Sequence, residues 1–481
     1  MKNSHEVIFV STAIPYVNAK PHMGHALEYV QADAYVRTQR LIGEDIFFLT
    51  GTDDNALKNV QAAEAAGKPT AKYIEENAKK FIDLDKSLSV KYDDFIRTSV
   101  DPRHRAGVEK LWRATNSQDI YKKSYRGFYC VGCEEFKTEK DLINGECPEH
   151  PGKPLEEVKE ENYFFKLSAY QNQLYDLINS DTLVIVPESR KNEMLSFIKG
   201  GLEDFSVSRS AKRARGWGIP VPNDPDQYLY VWYDALANYV TALGYANRDV
   251  SYQKYWESSQ KRVHIIGKGI NRFHTIYWPA MLLSAGMPLP TTVFVHGYIN
   301  SEGQKMSKLL GNVIDPFEYT EHYGTDAVRY YLLRHMHPFE DSDFTRERFE
   351  EAYTANLTNG LGNLVARVMK LSSQYLDETP KIPEIKQVIP EIQKYVDAFE
   401  FNQALDHLWF RIGYLDGLIQ EQKPFEVIKT NKNTGQNQLT YLLTQLAEIG
   451  VLLEPFMPGT SKEIIDAVRA NQKPENLFPR I

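Results

Sequence analysis

The chain has 481 residues, 42% hydrophobic and 25% charged, and this length predicts two to four domains with ample buried cores. No apolar run is long enough to span a bilayer, and the N-terminal segment Val7–Ile14 is too short for a secretory signal. The net charge of −8 argues weakly against nucleic acid as a partner, so any RNA binding would depend on local basic patches. Three cysteines, an odd count, do not predict a disulfide framework and favour a reducing cytoplasm.

The N-terminal region has the pattern of a βαβ unit. Val7–Ala13 is a continuous β-branched run, typical of a buried parallel strand. A helix is predicted from about Gly24 to Ile42, and Asp45–Asp54 is a second strand that ends in acidic residues. This alternation predicts an α/β fold with a doubly wound, Rossmann-like parallel sheet.

The alternation resumes in the second half of the chain. Val263–Gly267 is a predicted strand, Ile270–Gly286 a helix and Thr291–Ile299 another strand, so the region between the halves is an insertion that splits the sheet. After about Thr345 the patterns are helical, with one long helix over Glu347–Tyr375. We therefore predict two halves of a catalytic domain, 1–121 and 227–344, an inserted connective domain, 122–226, and a helical domain, 345–481.

The sequence PHMGH lies between the first predicted strand and the following helix. Open α/β sheets bind ligands at the carboxyl ends of their strands, where a helix N-terminus favours an anion. Gly24 lets the backbone approach such an anion closely, and His22 and His25 can each donate a hydrogen bond to phosphate oxygens. Two histidines that merely cap a loop explain this short motif equally well.

The sequence KMSK, Lys305–Lys308, follows the last predicted strand in a polar loop. Two lysines in a mobile loop can close on a triphosphate and neutralise the charge that builds on it. A solvated basic turn is the alternative. The histidine motif in the same split sheet makes the phosphate interpretation the stronger one.

All three cysteines belong to a C-x2-C-x13-C-x2-H pattern. Three thiolates and one imidazole form a closed, tetrahedral, structural zinc site, whereas a catalytic zinc keeps one position open. Unrelated cytosolic thiols are the alternative. The predicted ligands of one structural Zn²⁺ are Cys130, Cys133, Cys147 and His150.

The two motifs resemble the HIGH and KMSKS signatures of class I aminoacyl-tRNA synthetases. Longer segments, which together span nearly the whole chain, resemble the methionyl-tRNA synthetase family: PYVNAKPHMGH, YVWYDALANYV, IIGKGINRFHTIYWPAML, FVHGYINSEGQKMSK and GNVIDPFEY. The chain resembles the form with a single zinc knuckle and no C-terminal dimerisation appendage, which implies a monomer.

The resemblance implies a cytoplasmic ligase that uses ATP with Mg²⁺ to convert L-methionine to methionyl-adenylate and pyrophosphate. It then transfers methionine to the 3′ end of tRNA(Met), including the initiator tRNA, with no membrane partner. The attacking carboxylate is already ionised, so catalysis consists of positioning and charge stabilisation. The resemblance assigns His22, His25, Lys305 and Lys308 to catalysis at the ATP phosphates beside Gly24, and it places around the adenine His296, Gly297, Ile299 and Met306.

The centre of the expected methionine pocket is formed by four residues at helical spacing, Trp232, Ala235, Leu236 and Tyr239. Their i, i+3, i+4, i+7 pattern alone favours ordinary core packing. The resemblance instead places them around the thioether, whose polarisable sulfur suits aromatic rings. Asp53 is the expected anchor for the substrate ammonium, and a helix N-cap is the alternative from the residues alone. The full predicted set is Ala13, Ile14, Tyr16, Asp53, Trp232, Ala235, Leu236, Tyr239, Ile270 and His274.

Asn363, Arg367 and Phe425 match family positions that recognise the anticodon. Asn and Arg can hydrogen-bond base edges, and an aromatic ring can stack on a splayed base. From the pattern alone, a solvated helix face and a core aromatic are the alternatives. The basic cluster at 209–215 is better explained as a solvated loop than as a contact to tRNA phosphates.

Three positions depart from the family pattern. Leu309 replaces the final serine of the lysine motif, and Gly269 replaces an aspartate that is common in relatives. Asn55 stands where relatives often have histidine. Two other functions remain open: a nucleotidyltransferase acting on a small phosphoester, which would be much shorter, and a catalytically idle RNA-binding paralogue, which the intact motif residues argue against.

Overall fold

The structure is a computed structural model that describes residues 5–130, 132, 135–137, 139–148, 152–306 and 311–480. The zinc-ligand candidates Cys133 and His150, and Lys308 and Leu309 of the lysine motif, lie outside the described residues. The chain divides into two compact units. Unit 1 comprises Met1–Lys20, Asp45–Ile82 and Tyr92–Val295, and unit 2 comprises Pro21–Glu44, Asp83–Lys91 and His296–Ile481.

In chain order, the strands of the described residues are β1 Val7–Thr12, β2 Asp45–Thr52, β3 Asp94–Arg97, β4 Ile120–Cys130, β5 Glu135–Lys137, β6 Glu156–Phe165, β7 Val184–Val186, β8 Phe205–Ser206, β9 Ser208–Ser210, β10 Pro220–Val221, β11 Asp224–Leu229, β12 Lys261–Gly267, β13 Thr292–His296, β14 Ile299–Ser301, β15 Gln304–Lys305 and β16 Ser342–Phe344.

The α-helices of the same residues are α1 Met23–Ile42, α2 Leu57–Ala65, α3 Thr70–Ser87, α4 Pro102–Ala114, α5 Gln171–Asn179, α6 Glu188–Lys199, α7 Ala211–Ala214, α8 Val231–Leu236, α9 Asn238–Thr241, α10 Val250–Tyr252, α11 Trp278–Ser284, α12 Pro316–Tyr323, α13 Thr325–Arg334, α14 Arg346–Ala352, α15 Asn363–Tyr375, α16 Ile385–Val388, α17 Pro390–Asp397, α18 Phe401–Gln422, α19 Pro424–Thr430, α20 Lys432–Leu452 and α21 Pro458–Ala470. Within the described ranges, no helix combines the length and apolar character of a membrane span.

A six-stranded sheet with the order β3-β2-β1-β12-β13-β7 forms the centre of unit 1. β1 pairs in parallel with β2 and with β12, which come from opposite halves of the chain. Nearly every residue of β1 is buried, as its continuous apolar run predicts for a central parallel strand. The predicted Rossmann-like parallel core is confirmed.

The interval 122–226, predicted as an insertion, also contributes a strand to this sheet. β7 pairs in parallel with β13 at the sheet edge. The periodicity of the sequence missed β7 because the strand has only three residues. The rest of the interval forms a four-stranded sheet, β5-β4-β6-β8, and a three-stranded sheet, β10-β11-β9. The four-part division of the chain stays a prediction.

The predicted strand Thr291–Ile299 is two strands in the structure. β13 ends at His296, and β14 belongs to the separate sheet β15-β14-β16. The break occurs at Gly297, where an added Cβ would lie 2.2 Å from the carbonyl oxygen of Glu340. This close backbone approach redirects the chain, and only glycine permits it.

The two long predicted helices each contain a π-helical segment. Phe273–Tyr277 precedes α11, and Tyr353–Gly362 lies between α14 and α15. A π-segment places side chains on a different face from the one that α-helical spacing predicts. From α14 onwards unit 2 is predominantly helical, as predicted, and its helices include pairs that pack against each other such as α15 with α20 and α18 with α20.

Candidate active site

The histidine motif forms the N-terminus of α1 in unit 2. His22 is the N-cap, and its Nδ1 accepts a hydrogen bond from the Gly24 N–H at 3.1 Å. The Nδ1 atom of His25 accepts from the backbone N–H of His22, also at 3.1 Å. Because each Nδ1 acts as an acceptor, the proton of each neutral ring resides on Nε2. Each of the two histidines can therefore accept a backbone hydrogen bond at Nδ1 and still donate one from Nε2–H.

His25 is a neutral donor at physiological pH. Burial, and then the neighbouring His22, whose ring centroid lies 3.9 Å away, hold the pKa of His25 well below its usual value. Gly24 is required between the two histidines, because an added Cβ would lie 2.9 Å from His22 Cε1. The first turn of α1 thus presents backbone N–H groups, the positive end of the helix dipole and imidazole donors.

The described part of the lysine motif lies beside this helix start. An added Cβ on Gly24 would be 3.8 Å from Met306 Cε. Downstream of the motif, the Ile314 carbonyl accepts from the Met23 N–H at 3.1 Å. Lys305 is exposed, and its Nζ lies 5.0 Å from the centroid of the Tyr298 ring. Unit 2 therefore brings the histidine motif close to the described part of the lysine motif, Lys305 and Met306.

A second pair of polar side chains in unit 2 is His296 and Glu28, and Glu28 lies on α1 one turn after His25. His296 Nδ1 lies 2.8 Å from the Gly297 carbonyl, and its Nε2 lies 2.9 Å from Glu28 Oε2. A carbonyl only accepts, so the hydrogen bond to Gly297 is donated by Nδ1. Ile299, the other predicted adenine neighbour here, is buried.

The predicted methionine residues lie in unit 1 around an aromatic cluster. Trp232 stacks on Phe273 with ring centroids 3.9 Å apart, and Tyr16 meets Trp232 edge-on at 6.3 Å. Ala235, Leu236 and Tyr239 are buried. The remaining predicted apolar residues are half-buried at the edge of the same hydrophobic core, and they are Ala13, Ile14 and Ile270.

His274 is fixed in one tautomer within this cluster. Its Nδ1 lies 2.9 Å from the Ile270 carbonyl, which can only accept, so Nδ1 carries the proton. Nε2 then accepts from the Tyr239 hydroxyl at 2.7 Å. Burial lowers the pKa of His274 to about 4, so the ring is uncharged at pH 7. The cluster is thus a neutral, aromatic and largely buried surface.

Asp53 follows β2 directly and is 2% exposed. Its Oδ1 accepts from the Asn55 N–H at 3.1 Å, and its backbone forms a parallel bridge with Tyr16. The N-cap of the next helix is Ala56, which makes no side-chain cap hydrogen bond, so the N-cap interpretation of Asp53 is wrong. The neighbouring carboxylate of Asp54 accepts hydrogen bonds from Thr52 and Ser99 and pairs with Arg97. Burial raises the pKa of Asp54.

Comparisons with known proteins agree with this geometry. A family model described as tRNA synthetases class I (M) matches residues 8–153 and 151–369. The Methionine--tRNA ligase of Caldanaerobacter subterraneus subsp. tengcongensis is 41% identical over 479 residues, covering 96% of this chain and 74% of that protein. The Methionine--tRNA ligase of Thermotoga maritima is 38% identical over 483 residues, covering 97% of this chain and 76% of that protein.

The solved structures agree as well. Mycobacterium tuberculosis methionyl-tRNA synthetase in complex with methionyl-adenylate matches with a TM-score of 0.88 and 36% identity, covering 95% of this chain and 93% of that one. The chain belongs to the methionyl-tRNA synthetases of class I.

The two described cysteines of the predicted zinc site of this methionyl-tRNA synthetase are buried. Cys130 is the last residue of β4, and Cys147 follows a tight turn. In that turn Ile143 and Glu146 pair around Asn144 and Gly145, both with positive φ. Asn-Gly is the sequence that such a two-residue turn prefers. No cluster of three metal-ligating side chains occurs among the residues that the structure describes.

The three predicted anticodon residues lie in the helical part of unit 2. Asn363 begins α15 and is exposed, whereas Arg367 is half-buried, with its Nη1 2.5 Å from Asp416 Oδ1. Phe425 is 36% exposed, which is high for a large apolar side chain.

The basic cluster at 209–215 is mostly engaged inside unit 1. Arg209 is buried between the rings of Tyr129 and Tyr230, at 4.7 and 4.3 Å from their centroids. Arg213 pairs with Glu156, and Arg215 pairs with Glu64. The interpretation as a solvated loop is therefore wrong for Arg209, whose guanidinium is a packing element.

Sequence reasoning missed three residues of the site. Glu28 lies one turn after His25 on α1, so helical spacing could have found it. Phe273 and His264 carried no such signal. His264 is fully buried, its Nδ1 lies 2.7 Å from Ser11 Oγ, and its ring is 4.1 Å from that of Tyr239.

Proposed function

We propose that this chain is a methionine–tRNA ligase that forms methionyl-adenylate and pyrophosphate from L-methionine and ATP, and then charges the 3′ end of tRNA(Met), including the initiator tRNA. The observation that carries the proposal is the joint presence, in unit 1, of a neutral aromatic cluster and the buried carboxylate of Asp53. An apolar, polarisable side chain with a charged ammonium is the substrate that such a pair fits.

The first step is attack of the methionine carboxylate on the α-phosphorus of ATP, with pyrophosphate leaving. The attacking group is already an anion, so the chain supplies no general base. Instead, Nε2–H of His22 and His25, the N-terminus of α1 and the ammonium groups of Lys305 and Lys308 stabilise charge that develops on the phosphates. Mg²⁺ enters with ATP. His296, Gly297, Ile299 and Met306 surround the adenine.

Methionine binds with its ammonium on Asp53 and its thioether against the aromatic cluster. Trp232, Tyr239 and Tyr16 supply ring surfaces, and the uncharged His274 adds polarity without a charge. One methylene in an apolar pocket changes binding by only about 1–3 kcal/mol. Homocysteine is therefore the amino acid that this pocket excludes least well.

One structural Zn²⁺ is part of the proposal, held by Cys130, Cys133, Cys147 and His150. The buried positions of Cys130 and Cys147 support a structural site. Metal analysis of the purified protein should give one zinc per chain. The variant Cys147→Ser should lose that zinc and melt at a lower temperature, because metal binding contributes folding free energy. Zinc retained at full occupancy by this variant would contradict the ligand set.

The helical region is proposed to bind the anticodon of tRNA(Met) through Asn363, Arg367 and Phe425. The exposure of Phe425 suits stacking on a base, and Asp416 orients the guanidinium of Arg367. A cytoplasmic location completes the proposal.

Methionine-dependent ATP–pyrophosphate exchange tests the first step directly. We expect exchange that requires methionine and is not supported by other amino acids, followed by charging of tRNA(Met). A folded protein without such exchange would reject the proposal. Exchange without charging would restrict the function to amino-acid activation.

A further inference from the structure

A buried chain of hydrogen bonds lies beside the candidate methionine residues in unit 1. Asn55 Nδ2 donates to Asp234 Oδ2 at 2.7 Å. Asp234 Oδ1 lies 2.5 Å from His104 Nε2, and His104 Nδ1 lies 2.8 Å from Thr241 Oγ1. Asp234 is 1% exposed and His104 is 0% exposed. We call these residues the Asn55–Asp234–His104 network.

The carboxylate of Asp234 lies at the centre of the network. The Asn55 amide donates to Oδ2 of Asp234, and Oδ1 of Asp234 is within hydrogen-bond distance of His104 Nε2. A buried carboxylate is tolerated when its oxygens have such partners and is strongly penalised when they are removed. Each partner therefore restrains the position of Asp234, and Asp234 restrains both of them.

The network joins two groups that must contact opposite ends of one substrate. Asn55 uses its backbone N–H to bind Oδ1 of Asp53, the proposed ammonium anchor. Asp234 lies two residues after Trp232 on α8, so the two side chains point to nearly opposite sides of that helix. Trp232 consequently faces the aromatic cluster while Asp234 ties the back of α8 to the segment that carries Asp53.

We propose that Asn55 and Asp234 are positioning residues that set the separation between the Asp53 carboxylate and the aromatic wall at Trp232. This inference rests on the proposed function. An amino acid gains the binding energy of both groups only if they are held at the right distance at the same time. The property that this position supplies is an N–H donor to Asp234, and a histidine side chain carries an N–H donor as well.

The variant Asn55→Ala removes the donor to Asp234 and leaves the backbone N–H that binds Asp53. In ATP–pyrophosphate exchange we expect its KM for methionine to rise by about tenfold, because the Asp53 carboxylate and Trp232 are no longer held at the separation that methionine requires. Its KM for ATP and its kcat should stay at the wild-type values. Asn55→His should restore the KM for methionine, because an imidazole N–H can replace the amide donor.

A matched control on the same helix is Tyr233→Phe. Tyr233 is fully buried in α8, and its hydroxyl lies 2.8 Å from Thr115 Oγ1, outside the network. This variant also loses one buried hydrogen bond, but it should keep the wild-type KM for methionine. The effects of Asn55→Ala and Asp234→Ala should be less than additive when combined, because each variant removes one partner of the same bond.

The outcomes separate the inference from the proposed function. Wild-type protein without methionine-dependent exchange would reject the proposed function. Active wild-type protein with an unchanged KM for methionine in Asn55→Ala would overturn the inference, as would a KM in Asn55→His that equals that of Asn55→Ala. If Asn55→Ala does not unfold cooperatively, Asn55→Ser is assayed against the same two criteria.

Discussion

The candidate methionine residues of unit 1 and the start of α1 in unit 2 differ in the chemical character of their side chains. In unit 1 the side chains other than the Asp53 carboxylate are apolar or aromatic, uncharged and at least half-buried, and hydrogen bonds such as that from Tyr239 to His274 fix their geometry. At the start of α1 the groups are donors, and Lys305 nearby is exposed and charged. The first region suits the recognition of an apolar shape, whereas the second suits the stabilisation of negative charge.

This difference explains which interactions each region needs before a ligand arrives. Shape recognition requires a wall that does not move, because one methylene group provides little discrimination. Charge stabilisation requires groups that are fixed as hydrogen-bond donors. In His22 and His25 the backbone N–H groups bind both Nδ1 atoms and leave Nε2–H as the donor. Predictions for the two regions should therefore differ in which kinetic constant changes.

The largest effect is expected at the start of α1. Asparagine is a good N-cap, so His22→Asn should keep the cap to Gly24 while it removes the imidazole donor. We expect kcat for exchange to fall by about 10²–10³-fold with little change in the melting temperature. Steady-state exchange and calorimetry measure the two quantities.

A cap exchange elsewhere in unit 2 provides the control. Thr345 caps α14 by accepting from the Arg348 N–H. Thr345→Asn makes the same kind of replacement without touching the histidines, and it should keep the wild-type kcat. Near-wild-type exchange by His22→Asn would show that the histidine is only a cap, and the contrast between the two regions would be lost.

In unit 1, Asp53→Asn should act on methionine affinity. Loss of a charge-assisted hydrogen bond to the ammonium should raise the KM for methionine by about 10–100-fold, since such bonds contribute about 1.5–3 kcal/mol. The neighbouring variant Asp54→Asn breaks the buried pair with Arg97 and should lower the melting temperature with no change in that KM. An equal rise in KM for both variants would contradict the assignment of Asp53.

The smallest effect concerns pH and His274. Its pKa is about 4 in the folded protein and 6.5 when unperturbed, so the unfolded chain binds the proton first as the pH falls. Stability from this group is complete above pH 6.5 and declines towards pH 4. From about pH 7.5 to about pH 5 the wild type should lose about 2 kcal/mol that His274→Gln does not lose.

Denaturant unfolding at both pH values measures this difference. Glutamine can still bond to the Tyr239 hydroxyl, so the comparison isolates the proton. Equal losses in the two proteins would mean that the His274 ring is not held neutral, and the description of the methionine region as uncharged would be wrong.

Much of the fold was predictable because its signals are local. β1 and β2 are continuous apolar runs, and α1 has both a start motif and Gly43 at its end, in the left-handed conformation. β7 was not predictable, since three residues carry no periodicity. The π-helical segments were not predictable either, because a pattern that is read at 3.6 residues per turn does not show where a helix changes to π-helical spacing.

The candidate site divides in the same way. Motif residues and pocket residues were found from short patterns and from family resemblance, and Glu28 was within reach of helical spacing. Phe273 escaped because its stacking on Trp232 is a contact between segments about forty residues apart, which a single sequence does not encode in any local pattern. The bond from Asn55 to Asp234 spans 179 residues and escaped for the same reason.

Both Nδ1 atoms at the start of α1 already accept backbone hydrogen bonds, and this restricts the kind of inhibitor that can bind there. A compound aimed at the two imidazoles of this helix end meets Nε2–H groups, which donate hydrogen bonds. Sulfonates, sulfamates and carbonyl-rich linkers suit it, whereas amines and amidines do not. Medicinal chemists could rank fragments on that criterion before measuring a single affinity.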